Sequence, residues 1–267
     1  MIKTDWQYLT LVRNERILEV SFHSGDRVNS LSYALMRELT ELAQQLQSDA
    51  ELSAIILSGT AEMFSAGMDL RDPENAQGRK KTLAEQRQLL KTGPALCAAW
   101  EALEQVTIVA IEGWCIGGGA ALAVSCDWRV AAQDAKFYVP ELKLGMNMSW
   151  QSVPRFNHLI GPAKTKELLI LAEPIDMPTA ERWGLIDHVT PLGGALEKAR
   201  ELAVKVAAMP PIPTRMIKRA ITTSAAALDN ATSFMDADQF LLTQGTEDAI
   251  EGASAFLAKR KPDFKGN

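Results

Sequence analysis

The sequence predicts an α/β fold built from parallel crossover units, and three observations carry that expectation. The runs "SAIILSG" and "TIVAIEG" are short, apolar and rich in β-branched residues, the composition of strands buried on both faces. Helical patterning from about Leu83 to Leu103 lies between them. Each run is followed by a turn of small residues, "MFSAGMDL" after the first and "IEGWCIGGGAALA" after the second. Strand, loop, helix and strand thus recur, as a parallel sheet requires.

Taken in order, Tyr8–Val12 and Ile17–Phe22 read as two strands joined at Arg13-Asn14-Glu15. The polar loop "HSGDRVNS" follows. Ser30 or Asn29 can cap a helix that runs to about Gln47, with Leu31, Leu35, Leu39, Leu42 and Leu46 on its apolar face. After "SAIILSG" the stretch from Thr60 to Lys81 reads as a loop. Beyond the glycine triplet come a short helix, the strand "WRVAAQ" and the segment "KFYVPELKLGMNMSW". From about Ser149 onward the chain reads as almost wholly helical. Breaks are expected near Gly161-Pro162, Asp176–Pro178 and Met209–Pro213.

The 267 residues suffice for one large core, and 47% hydrophobic content fits a globular chain. A net charge of -5 argues against nucleic acid as a partner. No run approaches the ~20 apolar residues of a membrane span, and the N-terminal stretch has charges scattered through it, unlike a signal peptide. Cys97, Cys115 and Cys126 lack CxxC spacing and read as buried free thiols of a reducing compartment. A cytoplasmic protein is the expectation.

The two small-residue turns share one design. A buried strand ends, the chain turns tightly, and backbone N–H groups are left unpaired near a helix start. Two such turns on neighbouring strands can aim two N–H groups at one oxygen, which is an oxyanion hole. The same glycines also permit close packing of helix on strand, and spacing alone leaves both readings open. "GGGAALA" is not the GxGxxG of a dinucleotide site, and no P-loop lysine follows it. Neither a metal-ligand spacing nor a G-x-S-x-G elbow is found. His158 and His188 read as structural, and His23 stands before the "SGDRVN" loop.

"FSAGMDL", "IEGWCIGGGAALAVSCDWRVAA", "FYVPELKLG", "AERWGLIDHV" and "AFLAKRKPDFKG" together resemble the enoyl-CoA hydratase/isomerase (crotonase) superfamily, from the first strands to the tail. The resemblance implies a crotonase-like spiral of ββα units over residues 1–195 that carries the acyl-CoA site. It implies a helical C-terminal region over 196–267, which forms trimers or dimers of trimers and covers CoA. The backbone N–H groups of Met68 and Gly118 would bind the thioester oxygen. Arg27, Val28, Ala66, Gly67, Asp69, Leu70, Arg71 and Gly117 would line the substrate and CoA path, although Asp69 reads first as a cap or turn-stabilising residue. Phe256 and Lys259 would reach a CoA bound to a neighbouring subunit; the cluster "KRK" is equally what a solvated helix end carries. No separate cofactor is implied, because coenzyme A is part of the substrate.

The chain departs from that family where hydratases carry their first glutamate: the position is Ala121. The second glutamate is present as Glu141. A methyl group holds no water and transfers no proton, so hydration by paired carboxylates is not expected. Isomerases resembling this family work with the second glutamate alone. Burial beside Val139, Leu142 and Leu144 would raise its pKa towards neutrality. Dienoyl-CoA isomerases place an aspartate where this chain has Ser149. Trp150 either shapes the acyl pocket or packs in the core or an interface. The leading expectation is a single-glutamate enoyl-CoA isomerase. A hydratase or lyase with a non-standard second group, and an acyl-CoA-binding protein that has lost turnover, are the alternatives.

Overall fold

The structure, a computed structural model, describes residues 3–78 and 80–267. Met1 and Ile2 of the N-terminal stretch and Arg79 of the polar loop lie outside the described residues.

A six-stranded sheet is ordered β1-β2-β3-β4-β6-β9. Strands β1 (Leu9–Asn14) and β2 (Ile17–Phe22) pair antiparallel; β3 (Ala54–Ser58), β4 (Val106–Ile111), β6 (Trp128–Ala132) and β9 (His188–Thr190) continue in parallel. A second, three-stranded sheet is ordered β5-β7-β8, with β5 at Trp114–Ile116, β7 at Lys136–Tyr138 and β8 at Ile175–Asp176. The spiral arises because successive turns of the chain give one strand to each sheet: β4 then β5, β6 then β7. An isolated bridge between Ser65 and Cys115 lays the turn after β3 beside the small sheet as well.

Helix α1 (Tyr33–Leu46) is capped by Ser32, whose side chain accepts from the Leu35 N–H. Its buried Leu35, Leu39, Leu42 and Leu46 face the main core. The expected cap at Asn29 or Ser30 thus lies two or three residues too early. Asn29 instead ties the loop to the sheet, because its fully buried side chain donates to the carbonyls of Phe22 and Phe64. The expected loop from Thr60 to Lys81 contains a short helix, α2 (Pro73–Gly78). The long helix expected from Leu83 to Leu103 is two: α3 (Leu83–Leu90), capped by Thr82, and α4 (Thr92–Glu101), broken at Lys91.

After β5 comes α5 (Gly118–Val124), every residue of which is buried. The 3-10 turn Glu141–Leu144 follows β7. Then α6 (Ser152–Lys166) kinks at Gly161 as expected and runs into the π-helical segment Glu167–Leu171. The remaining chain is less uniformly helical than expected. Strand β8 precedes α7 (Met177–Trp183), and β9 precedes α8 (Ala195–Ala207).

Helix α8 covers the second face of the main sheet. Its Ala195, Ala199, Ala203 and Val206 form a core with Ala54, Ile56, Ile108, Ala110 and Val130. Both faces of β3 and β4 are therefore covered, as their unbroken apolar runs demand. Helices α9 (Pro211–Ala225), α10 (Asp229–Ser233), α11 (Asp236–Gln244) and α12 (Glu247–Leu257) complete the chain. The buried Lys218 of α9 pairs with Asp127 at 2.7 Å and donates to the Gln105 carbonyl. A backbone contact seats α12 on the 3-10 turn: a Cβ on Gly252 would lie 2.5 Å from the Leu144 carbonyl carbon. His158 faces Asp229 at 3.2 Å. All three cysteines are buried and free, and burial pushes their thiols up, to about 11 for Cys97 and about 12 for Cys126. No helix among the described residues is long and apolar enough to cross a membrane.

Candidate active site

Three turns, one in the loop after β3 and the others after β5 and β7, meet in one place. In the first, Ser65 donates to the Trp114 carbonyl and accepts from Ile116, extending the small sheet by one rung. Its hydroxyl donates to the Asn29 carbonyl and accepts from the Gly67 N–H. Gly67 has φ +83°, and a Cβ there would stand 2.7 Å from the Ile116 carbonyl oxygen and 3.1 Å from the Gly118 nitrogen. Only glycine fits both the backbone and the space. The next residue, Met68, bridges to Leu31, which donates to the Gly67 carbonyl and accepts from the Asp69 N–H. In that parallel pattern the N–H of Met68 itself points away from Leu31.

In the second turn, Gly117 has φ +51° and ψ -113° and donates to the Tyr138 carbonyl. Gly118 is the first residue of α5, so its N–H has no place in the helical ladder. The third turn begins at Pro140, and Glu141 opens the 3-10 turn. Its carboxylate reaches back to the second turn, where a Cβ on Gly117 would lie 2.6 Å from Oε1. The other oxygen, Oε2, is buried without a hydrogen-bond partner among the described residues. Desolvation pushes the Glu141 carboxyl up to about 7. Such a group holds or releases a proton near neutrality, the property a general base needs.

Trp150 closes this place from above. A Cβ on Gly118 would lie 2.6 Å from the indole Cη2, and one on Gly93 of α4 would overlap the indole. Ala121, one turn along α5 from Gly118, is fully buried; its carbonyl accepts from Ser125. Ser149 is buried too, and its hydroxyl donates to Asp236 of α11 at 2.6 Å.

Gly67, Met68, Gly117, Gly118, Glu141 and Trp150 are thus brought together. Ala66 joins them at the edge and donates to the Val28 carbonyl. Arg27, Val28, Leu70 and Arg71 stand exposed around the approach. Asp69 stabilises its own turn by accepting from the Arg71 N–H. Phe256 and Lys259 lie exposed at the end of α12 and just beyond it. Among the described residues no group of three or more His, Cys, Asp or Glu side chains could hold a metal ion.

Two residues at the site are not anticipated by the sequence. Gly93 had a signal, a glycine within a helical pattern that turns out to lie under the indole. Asp236 had none, since its partner Ser149 is 87 residues away.

A family profile described as enoyl-CoA hydratase/isomerase matches residues 12–267. The chain belongs to that family. Among relatives of this enoyl-CoA hydratase/isomerase family protein, a probable enoyl-CoA hydratase of Bacillus subtilis is 33% identical over 97% of the chain and 98% of its own length. The 2,3-dehydroadipyl-CoA hydratase of Escherichia coli is 32% identical over the same shares. The crystal structure of the enoyl-CoA hydratase from Bacillus anthracis superposes with a TM-score of 0.77 at 30% identity, covering 98% of this chain and all of that one. The family member described here is an acyl-CoA-processing protein with the family's α/β fold and helical C-terminal region.

Proposed function

We propose that the protein is an enoyl-CoA isomerase that works with one carboxylate. The thioester oxygen of a 3-enoyl-CoA accepts from the N–H groups of Met68 and Gly118. Glu141 removes a proton from C2, the dienolate spreads its charge onto the thioester oxygen, and the same carboxyl returns the proton at C4. The double bond moves from C3–C4 to C2–C3, and the enzyme ends in its starting protonation state. Losing one N–H donor to such an oxyanion typically costs about 3 kcal/mol.

The single observation that carries this reading is the Glu141 carboxyl, buried with one oxygen unpaired and raised to about 7, while position 121 of α5 carries only a methyl group. Ala66, Gly67, Asp69 and Gly117 would line the substrate path, with Arg27, Val28, Leu70 and Arg71 along the CoA. Phe256 and Lys259 would meet the CoA of a neighbouring subunit in a trimer or a dimer of trimers. A second reading, hydration of a 2-enoyl-CoA or a lyase reaction, is favoured by the relatives' hydratase names. It requires a second proton-transferring group, which Ala121 does not supply.

The deciding experiment incubates the protein with a 3-enoyl-CoA and, separately, with a 2-enoyl-CoA. Shift of the double bond without water addition, abolished in Glu141→Gln, is the expected result. Water addition to the 2-enoyl thioester at a higher kcat/KM than isomerisation would favour the second reading. Absence of both reactions and of α-deuterium exchange in D₂O would leave an acyl-CoA-binding protein.

A further inference from the structure

Trp150 and Gln151 are consecutive non-glycine residues at φ +62° and +54°, a backbone that side chains rarely adopt and that must be held in place by its surroundings. The holding groups come from both sides. Asp236 accepts from the Ser149 hydroxyl at 2.6 Å, and the N–H groups of Trp150 and Gln151 also face its carboxylate. Arg155 donates to the carbonyls of Trp150 at 3.1 Å and Gln151 at 2.9 Å. That guanidinium is fixed in turn by Glu101 of α4, with two hydrogen bonds of 2.8 Å. Ser152 closes the turn by donating to the Ser149 carbonyl. A buried carboxylate, a buried guanidinium and two serines therefore fix one turn, and its product is the position of one indole. That indole lies against both Gly93 and Gly118, where any side chain at either position would collide with it.

We propose that Trp150 is the wall that limits acyl length, restricting the site to short acyl groups, and that Asp236 is the positioning residue that holds the wall. The inference deepens the acyl-CoA reading and rests on its placement of the thioester at Gly118. An acyl chain leaving a thioester bound there meets the indole before it can extend between α4 and α5. Asp236 touches no reacting atom; it acts through Ser149 and the Trp150 backbone. Because Asp236 belongs to α11, the C-terminal helical region sets acyl selectivity as well as packing against the core.

The test measures dissociation constants of butanoyl-CoA and decanoyl-CoA for the full chain by calorimetry. Wild type should bind butanoyl-CoA at least tenfold more tightly than decanoyl-CoA. Trp150→Ala and Trp150→Leu should erase that ratio, chiefly by tightening decanoyl-CoA; the leucine variant guards against collapse of the alanine one. Asp236→Ala should move the ratio the same way, and Asp236→Asn, which keeps one acceptor oxygen, should restore most of it. A purely structural Asp236 would weaken both ligands alike. Wild-type selectivity in either folded Trp150 variant overturns the wall, and wild-type selectivity in folded Asp236→Ala overturns the positioning role. If wild type binds neither thioester, the acyl-CoA reading itself falls; binding of both lengths alike to wild type overturns only the wall.

Discussion

The carboxylate of Glu141 fills the space that a side chain at position 117 would need: a Cβ on Gly117 would stand 2.6 Å from Oε1. Gly117→Ala must therefore displace the carboxylate while forcing alanine into a backbone at φ +51° and ψ -113°. Strain of this kind costs about 1–3 kcal/mol. Urea unfolding should show a loss of that size, and isomerase turnover should fall at least tenfold.

The proposed isomerase activity should rise with pH through about 7, where Glu141 loses its proton. Stability should run the other way. The folded chain keeps this proton up to about pH 7, whereas an unperturbed glutamate releases it near 4.5. The contribution is complete below 4.5 and is lost as pH rises through 7, about 3 kcal/mol in all. Glu141→Gln removes the group, so that variant should melt above wild type at pH 8 and close to it at pH 4.5. Equal melting differences at the two pH values would refute the assignment.

Ala121 is fully buried, so a glutamate there must displace its neighbours and bring a carboxyl out of water. Ala121→Glu alone should lose at least about 2 kcal/mol from overpacking and a buried polar head, with little gain in hydration of a 2-enoyl-CoA. Combining it with Trp150→Ala opens the space in front of Gly118 and should raise hydration more than either change alone. A spectrophotometric hydration assay on the four proteins checks this non-additivity.

Helix α9 leaves Ile212, Met216, Ile217 and Ile221 exposed, a concentration of apolar surface that solitary chains rarely show. Sedimentation velocity should give a trimer or hexamer. Met216→Glu should shift the boundary to smaller species. An unaltered oligomer would place the interface elsewhere.

The small-residue turns were legible from local spacing, whereas the roles expected of Met68, Gly118 and Glu141 came from the resemblance to the family. Gly117 and Gly118 follow β5 at once, while Gly67 comes nine residues after β3 and Glu141 three residues after β7; the small-residue turns are visible in the letters. Local signals failed where an element is too short to show a period: β7 has three residues and β8 two, so the second sheet was not foreseen. The break at Lys91 has a local signal in Gly93 and Pro94, because Pro94 has no N–H to give the Leu90 carbonyl and stands where a new helix tolerates it, in the first turn of α4. The cap of α1 moved because Asn29, a plausible capping residue, serves the sheet instead. Asp236 was invisible for a different reason. Its contacts are made across the fold, and nothing near it in sequence points to Ser149.

The three buried thiols give the molecule an internal clock. Cys97 lies in α4, Cys115 in β5 and Cys126 just after α5, so each sits at a different point around the candidate active site. A thiol reagent added to the folded chain finds no accessible thiolate until the structure opens. The rate of modification at each cysteine then reads the opening of helix, strand and turn separately, with no probe engineered into the chain.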